Sequence, residues 1–247
     1  MNDPINPDRR ALLGAAAAVA IAGGAPATAF ASQRGDAMTD VKAFTSSTEL
    51  RPLKFDPARL DGLSERLIRS HWENNYGGSV RMLAAVKRQL AEALAVKDMP
   101  APIYNALKRE HLVRTGSVVL HEYYFDNLGG SGQAGAKLRG VLADTFGSFD
   151  TWETEFRRIA AGLGGGSGWV VLAYNVHTGQ LENYWLADHA HGAAGSLPLL
   201  VMDMYEHSYQ MDYGAAAARY IDAFFKNIEW ETVASRLEAA MAWEGQS

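Results

Sequence analysis

The stretch Asp203-Met204-Tyr205-Glu206-His207-Ser208-Tyr209 decides the fold. It follows the apolar run Leu197–Met202, which reads as a strand ending on Asp203. A carboxylate at the buried end of a strand is costly unless it is paired or bound to a metal. His207 stands four residues later. Two further histidines, His71 and His121, stand far upstream, each within a stretch of helical spacing. Two imidazoles from the front of the chain, with a carboxylate and an imidazole from the back, would close a cage of three histidines and one aspartate. Such a cage leaves one position for solvent or substrate.

Upstream of this stretch, Leu63, Leu67, Ile68, Val80, Leu83, Val86, Leu90 and Leu94 recur at helical spacing between Asp61 and about Val96. Gly77-Gly78 is expected to kink or break that helix. A turn at Lys97–Pro102 leads into a second helix from about Ile103 to Asn127, which gives a helical hairpin. The Gly-rich segment Leu128–Gly135 is the expected domain boundary. Helices are expected at about Ala136–Thr145 and Phe149–Leu163. Gly164–Gly168 then marks a change of period. Trp169–Val176 and Gln180–Ala187 read as strands around His177-Thr178-Gly179, with Leu197–Asp203 as the third. Helices follow at about Tyr213–Lys226 and Glu229–Met241. The expected fold is therefore α+β: an N-terminal helical hairpin, then a C-terminal domain with a three-stranded antiparallel sheet and helices. The expected divisions are a leader over 1–31, an arm and hairpin over 32–130, and the α+β domain over 131–247.

Composition narrows the chemistry. The 247 residues carry a formal net charge of -5, which argues against nucleic acid as a partner. With no cysteine, disulfides, iron–sulfur clusters and thiol catalysis are excluded. Any metal must sit on histidine and carboxylate, a donor set suited to iron, manganese or zinc. Residues 1–31 read as a targeting segment. Arg9-Arg10 precedes a weakly hydrophobic, Ala/Gly-rich run, and Ala29-Phe30-Ala31 offers a cleavage site after Ala31. Ala27-Thr28-Ala29 is a second candidate. The pattern resembles a twin-arginine signal, which implies the twin-arginine export machinery as a partner and a periplasmic destination. The apolar run is too short and Gly-rich to span a bilayer comfortably, so no membrane span is expected in the mature form.

Phe146-Gly147-Ser148-Phe149, with Trp152 and Phe156, resembles the FGSF segment of iron/manganese superoxide dismutases. Gly166-Ser167-Gly168-Trp169 is similar to their GSGW strand start. Asp203–Tyr209 with Asp212-Tyr213 is similar to their DVWEHAYY-DY signature. Trp230-Glu231 matches the last helix in part, and His121-Glu122-Tyr123-Tyr124-Phe125 resembles the second ligand helix. The resemblance covers most of residues 50–243. It implies superoxide as substrate, oxygen and hydrogen peroxide as products, and one iron or manganese ion on His71, His121, Asp203 and His207. It also implies a homodimer in which Glu206 bridges to the other subunit's final ligand histidine. Trp169 and Tyr205 would wall the site.

The sequence departs from the family pattern around the substrate funnel. Where the family has a second histidine and a gateway tyrosine after the first ligand, this chain has Asn75 and Ser79. Tyr76 is expected to point elsewhere by helical geometry. The family's second tyrosine after the last ligand is Gln210 here, so an Asn75–Gln210 pair across the dimer would replace a His–Tyr one. The active-site glutamine that holds solvent is replaced by His189, with His191 as the competing assignment. Ser117 stands opposite it on the ligand helix. The family's Trp-x-Trp has become Trp169-Val170-Val171, which thins one wall. These departures keep a second reading open, a metal-binding relative with weak or different redox activity. A zinc hydrolase is a third, though Glu206 is the only base it would have.

Overall fold

A computed structural model describes residues 41–45 and 49–244; the expected leader over 1–31 and the first part of the arm lie outside the described residues. All described residues belong to one compact unit. Ser64 caps the first helix by accepting from Leu67 N, and α1 runs Glu65–Ser70. The chain then passes through a six-residue π-helical segment, His71–Tyr76, before α2, Gly77–Leu94. Gly77-Gly78 does not break the helix as expected: Gly77 has ordinary helical angles. The irregularity falls one turn earlier, in the π segment. Such segments insert one extra residue per turn and shift the face of everything that follows.

Pro100 and Pro102 set the start of α3, Ala101–Asp126, which packs along α2. The Gly-rich stretch after it is laid against residues 227–229. Gly130 N donates to Asn227 O and Gly132 N to Ile228 O. Gly147 ends α4, Ala136–Phe146, and Ser148 caps α5, Phe149–Leu163, by accepting from Thr151 N.

The sheet has the order β2-β1-β3, with β1 Trp169–Asn175, β2 Gln180–Leu186 and β3 Ser196–Asp203, and both pairings are antiparallel. Central β1 is buried over its first six residues, which explains its unbroken apolar run. Pro198 sits on an edge strand beside a register shift, where its missing N–H is tolerated. β3 packs against α3 and against α8, Trp230–Glu244. Between them run α6, Gln210–Tyr213, and α7, Ala217–Lys226, so the helix expected from about Tyr213 begins at Ala217, after the short α6 and Gly214.

Two asparagines tie these parts together. Asn127 is fully buried; its side chain accepts from Val201 N (3.0 Å) and donates to Leu199 O. Asn227 clamps the Asp61 backbone with two bonds of 2.8 Å. The helical hairpin and the sheet therefore share one core, which contains Leu67, Ile68, Tyr124, Trp152, Trp169 and Phe224.

Candidate metal centre

β1 begins where β3 ends. Trp169 pairs with Asp203 in register, and Met204 N closes the ladder onto Gly168 O at 3.0 Å. Gly168 is required at this junction. Its φ is +138°, and a Cβ there would meet Leu186 O at 2.4 Å. Asp203 is held from three sides. Tyr205 N donates to its Oδ1 (2.9 Å). Ser208 Oγ (2.9 Å) and Tyr220 OH (2.6 Å) donate to its carbonyl. The carboxylate therefore has a fixed direction before any other group arrives.

Three imidazoles converge on Asp203 Oδ2. His71 Nε2 and His207 Nε2 lie 3.1 Å from it, and His121 Nε2 lies at 3.7 Å. The ligating atoms of all four side chains fall within 4.8 Å of one another. Asp203 is fully buried, His71 and His121 nearly so, and His207 is part-exposed. The π segment carries His71 to the cluster, α3 carries His121, and the turn after β3 carries His207.

The hydrogen-bond pattern is that of an ion site. His121 Nδ1 donates to Ser117 O at 2.6 Å, so its Nε2 presents a lone pair to the carboxylate. His71 Nε2 has the distance of a hydrogen bond to Asp203 without its alignment. It and His121 Nε2 are buried with no partner. Burial pushes His121 down to about 3 and lowers His71 as well, although Asp203 pulls His71 the other way. Burial raises Asp203, but the neighbouring His207 and His71 outweigh it and hold the carboxyl below the ordinary range. Neutral imidazole lone pairs facing a buried carboxylate repel it unless a cation lies between them. The donor set of three imidazoles and one carboxylate fits a single iron or manganese ion.

Around the cluster, His189 and not His191 is brought to the site. Trp169 Nε1 donates to His189 Nδ1 at 3.0 Å, so the ring proton of neutral His189 sits on Nε2. Its ring lies 5.9 Å from that of His121 and stacks on Tyr205 at 4.7 Å. Tyr205 in turn stacks on His207 at 5.3 Å. His191 is exposed and pairs with Asp188 at 2.9 Å.

Among the described residues, no hydrogen bond joins the three funnel candidates to one another. Ser79 is buried behind His121 and shares a 2.8 Å hydrogen bond with Ser117. Asn75 is half-buried, and Gln210 is exposed, as is Glu206.

The expectation for Tyr76 is corrected. A regular α-helix would turn it away from the ligand face, but the π segment places it five residues and one wider turn after His71. Its ring stacks against His121 at 6.3 Å, and it is buried. Its hydroxyl donates to Glu122 Oε1 (2.9 Å) and accepts from Arg51 N (3.0 Å). Arg51 also pairs with Glu122 at 3.1 Å, and its carbonyl accepts from Trp72 Nε1. The arm is thus tied to the ring behind one ligand. No sequence signal distinguishes a π turn from an α turn here. A surface cavity of about 760 Å³ lined by Arg59, Ser131 and Glu229, among others, shares no residue with this cluster.

Residues 134–236 match the family model for iron/manganese superoxide dismutases, C-terminal domain. The chain is 51% identical over 193 residues to a superoxide dismutase [Fe] of Cupriavidus metallidurans, covering 78% of this chain and 98% of that protein. It is 34% identical over 192 residues to a superoxide dismutase [Fe] of Aquifex aeolicus, covering 75% and 89%. It is 32% identical over 202 residues to a superoxide dismutase [Mn] of Haloarcula marismortui, covering 80% and 97%.

Proposed function

The chain belongs to the iron/manganese superoxide dismutase family, and from this we propose that it dismutates superoxide on one iron or manganese ion held by His71, His121, Asp203 and His207, as an exported dimer. The observation that carries the assignment of ligands is the convergence of three imidazole nitrogens on one buried carboxylate oxygen, two of them without a hydrogen-bond partner. The ion supplies one-electron chemistry between its trivalent and divalent states.

The side chains do the rest. Three neutral imidazoles and one carboxylate lower the site's charge by a single unit, so the centre stays net positive toward an anionic substrate in both states. Asp203, fixed through Tyr205 N, Ser208 and Tyr220, keeps the cluster's geometry constant as charge changes. His189, held through Nδ1 by Trp169, has Nε2–H left to donate toward solvent or substrate at the open side. Tyr205 and Trp169 wall that side. Part-exposed His207 marks where the cluster comes nearest to solvent.

In the dimer, Glu206 of one protomer would accept from His207 of the other, and Asn75 would pair with the partner's Gln210. The exposure of Glu206 and Gln210 beside part-exposed His207 supports this reading. An amide pair has no titratable group, so proton delivery through it would rely on water. Export rests on Arg9-Arg10, the Ala/Gly-rich run and the site at Ala31. No helix among the described residues is long and apolar enough to cross a membrane.

One preparation tests all three parts. Protein taken from the periplasmic fraction should begin at Ser32, sediment as a dimer and carry one ion per chain. After separate loading with iron and with manganese, at least one form should consume superoxide rapidly. One bound ion without dismutation in either form would overturn the activity. A cytoplasmic, uncleaved chain would overturn export, and a stable monomer would overturn the bridge.

A further inference from the structure

We propose that Gly116 is a positioning residue for His189: the bare backbone of α3 forms the seat against which the His189 main chain rests. A Cβ built on Gly116 would lie 1.7 Å from His189 O, 2.9 Å from its carbonyl carbon and 3.7 Å from its Cα. All three neighbours are close to or part of the backbone, so no side-chain rotation relieves the clash. Contacts of a real Cβ essentially never fall below 3.0 Å, so even alanine must open this gap by more than 1 Å.

The displacement has few other places to go. The loop carrying His189 is stiffened within itself by Asp188, which accepts from Ala190 N (2.7 Å) and pairs with His191, so it shifts as a unit. α3 is pinned by its packing on α2 and β3 and by His121, which must reach the cluster. His189 is therefore the element that yields. Its ring meets Trp169 Nε1 at 3.0 Å and stacks on Tyr205 with an interplanar angle of 12°. A shift of about 1 Å is enough to break such a hydrogen bond and to loosen a site held by it. Gly116 thus acts on the centre through His189 and touches no substrate. The inference rests on the reading that His189 serves the metal centre.

The test compares glycine-to-alanine changes in the metal-loaded protein. Gly140 in α4 and Gly162 in α5 have nothing within 4 Å of a built Cβ, so Gly140→Ala and Gly162→Ala give the same chemical change without the contact. Both controls should fold, melt at or slightly above the wild-type temperature, and keep the Trp169–His189 bond. In a crystal structure of Gly116→Ala that bond should lengthen beyond 3.5 Å. The midpoint potential and the pH profile of turnover should move outside the spread of the two controls.

An unchanged Trp169–His189 distance in folded Gly116→Ala would overturn the proposal. A lengthened bond with unmoved potential and pH profile would uphold the seat and overturn the role of His189 at the centre. If Gly116→Ala does not fold, Trp169→Phe decides, since it removes the indole bond and leaves Gly116 intact. The His189 carbonyl should then stay against Gly116. Its departure would mean that the indole alone seats the loop, and would overturn the proposal.

Discussion

Asp203→Asn should abolish metal retention and superoxide consumption while leaving the metal-free chain folded. The wild-type carboxylate is fully buried and faces two imidazole nitrogens with no hydrogen-bond partner. With an ion present, its charge is the only anionic donor in the set. Losing it should lower affinity by at least about a hundredfold, the upper end of what loss of an outer-shell partner alone costs. Without an ion, the same carboxylate rests on its neighbours His207 and His71. It is desolvated, accepts from His207 Nε2 at 3.1 Å, and faces the unpartnered nitrogens of His71 and His121 at 3.1 and 3.7 Å. Asparagine keeps the acceptor for Tyr205 N at Oδ1 and can offer N–H groups to the unpartnered imidazole nitrogens.

Thermal melts with and without added iron or manganese check this directly. Wild type should gain stability from the ion, as any protein does from a ligand that binds only its folded state, and Asp203→Asn should gain none. Asparagine is preferred to alanine here, because alanine would also strand Tyr205 N and confuse the stability readout. One ion per chain and near-wild-type turnover in Asp203→Asn would remove Asp203 from the ligand set.

Much of the fold follows from patterns visible along the chain. The continuous run Trp169–Tyr174 belongs to the central strand, the Ser148-x-x-Thr151 step caps α5, and the apolar approach to Asp203 is β3. These are local signals, set by period and capping, and local signals survive in sequence. The four metal-cluster residues were legible for a further reason. Without cysteine the donors had to be histidine and carboxylate, and the resemblance of the segments around His121 and Asp203–Tyr209 to the family's motifs singled out these four among the seven histidines and the carboxylates. What could not be read depended on geometry between elements. Tyr76 reaches the back of His121 only because six residues adopt π-helical bonding, and the composition of His71–Tyr76 gives no hint of it. His189 and His191 are equivalent in sequence. Packing against Trp169, Tyr205 and Gly116 separates them. The family resemblance puts Ser79 at the funnel position, yet its short side chain turns to Ser117 in the core.

The metal-free protein should lose stability steeply as pH falls below about 6.5, well before its carboxylates titrate. Burial first, and the neighbouring His71 second, push His121 down from the ordinary 6.5 of an imidazole to about 3 in the fold. A histidine lowered in the fold takes up its proton first in the unfolded chain. Between pH 6.5 and about 3 the unfolded state therefore binds more protons, and stability falls as pH falls. His121 alone contributes a slope of ~1.4 kcal/mol for each pH unit in that window. His71 and His189 are lowered in the same direction, also chiefly by burial, and steepen the fall. Asp203 adds to it only at lower pH. Its folded pKa lies below 3.8, so its contribution is present above that value and is lost as pH falls through the folded one.

Against a typical domain stability of about 5–15 kcal/mol, this slope is large enough to unfold the metal-free chain in mild acid. Urea midpoints at pH 7, 6, 5 and 4.5 measure it, with the slope of the transition checked for constancy. His121→Gln should flatten the dependence by removing one titrating group. With metal bound, the onset should move to lower pH, because ion and proton compete for the same nitrogen lone pairs and the ion holds them until its affinity is overcome. A metal-free urea midpoint that stays level from pH 7 to 4.5 would mean that these imidazoles are already solvated, and that the buried cluster does not persist without its ion.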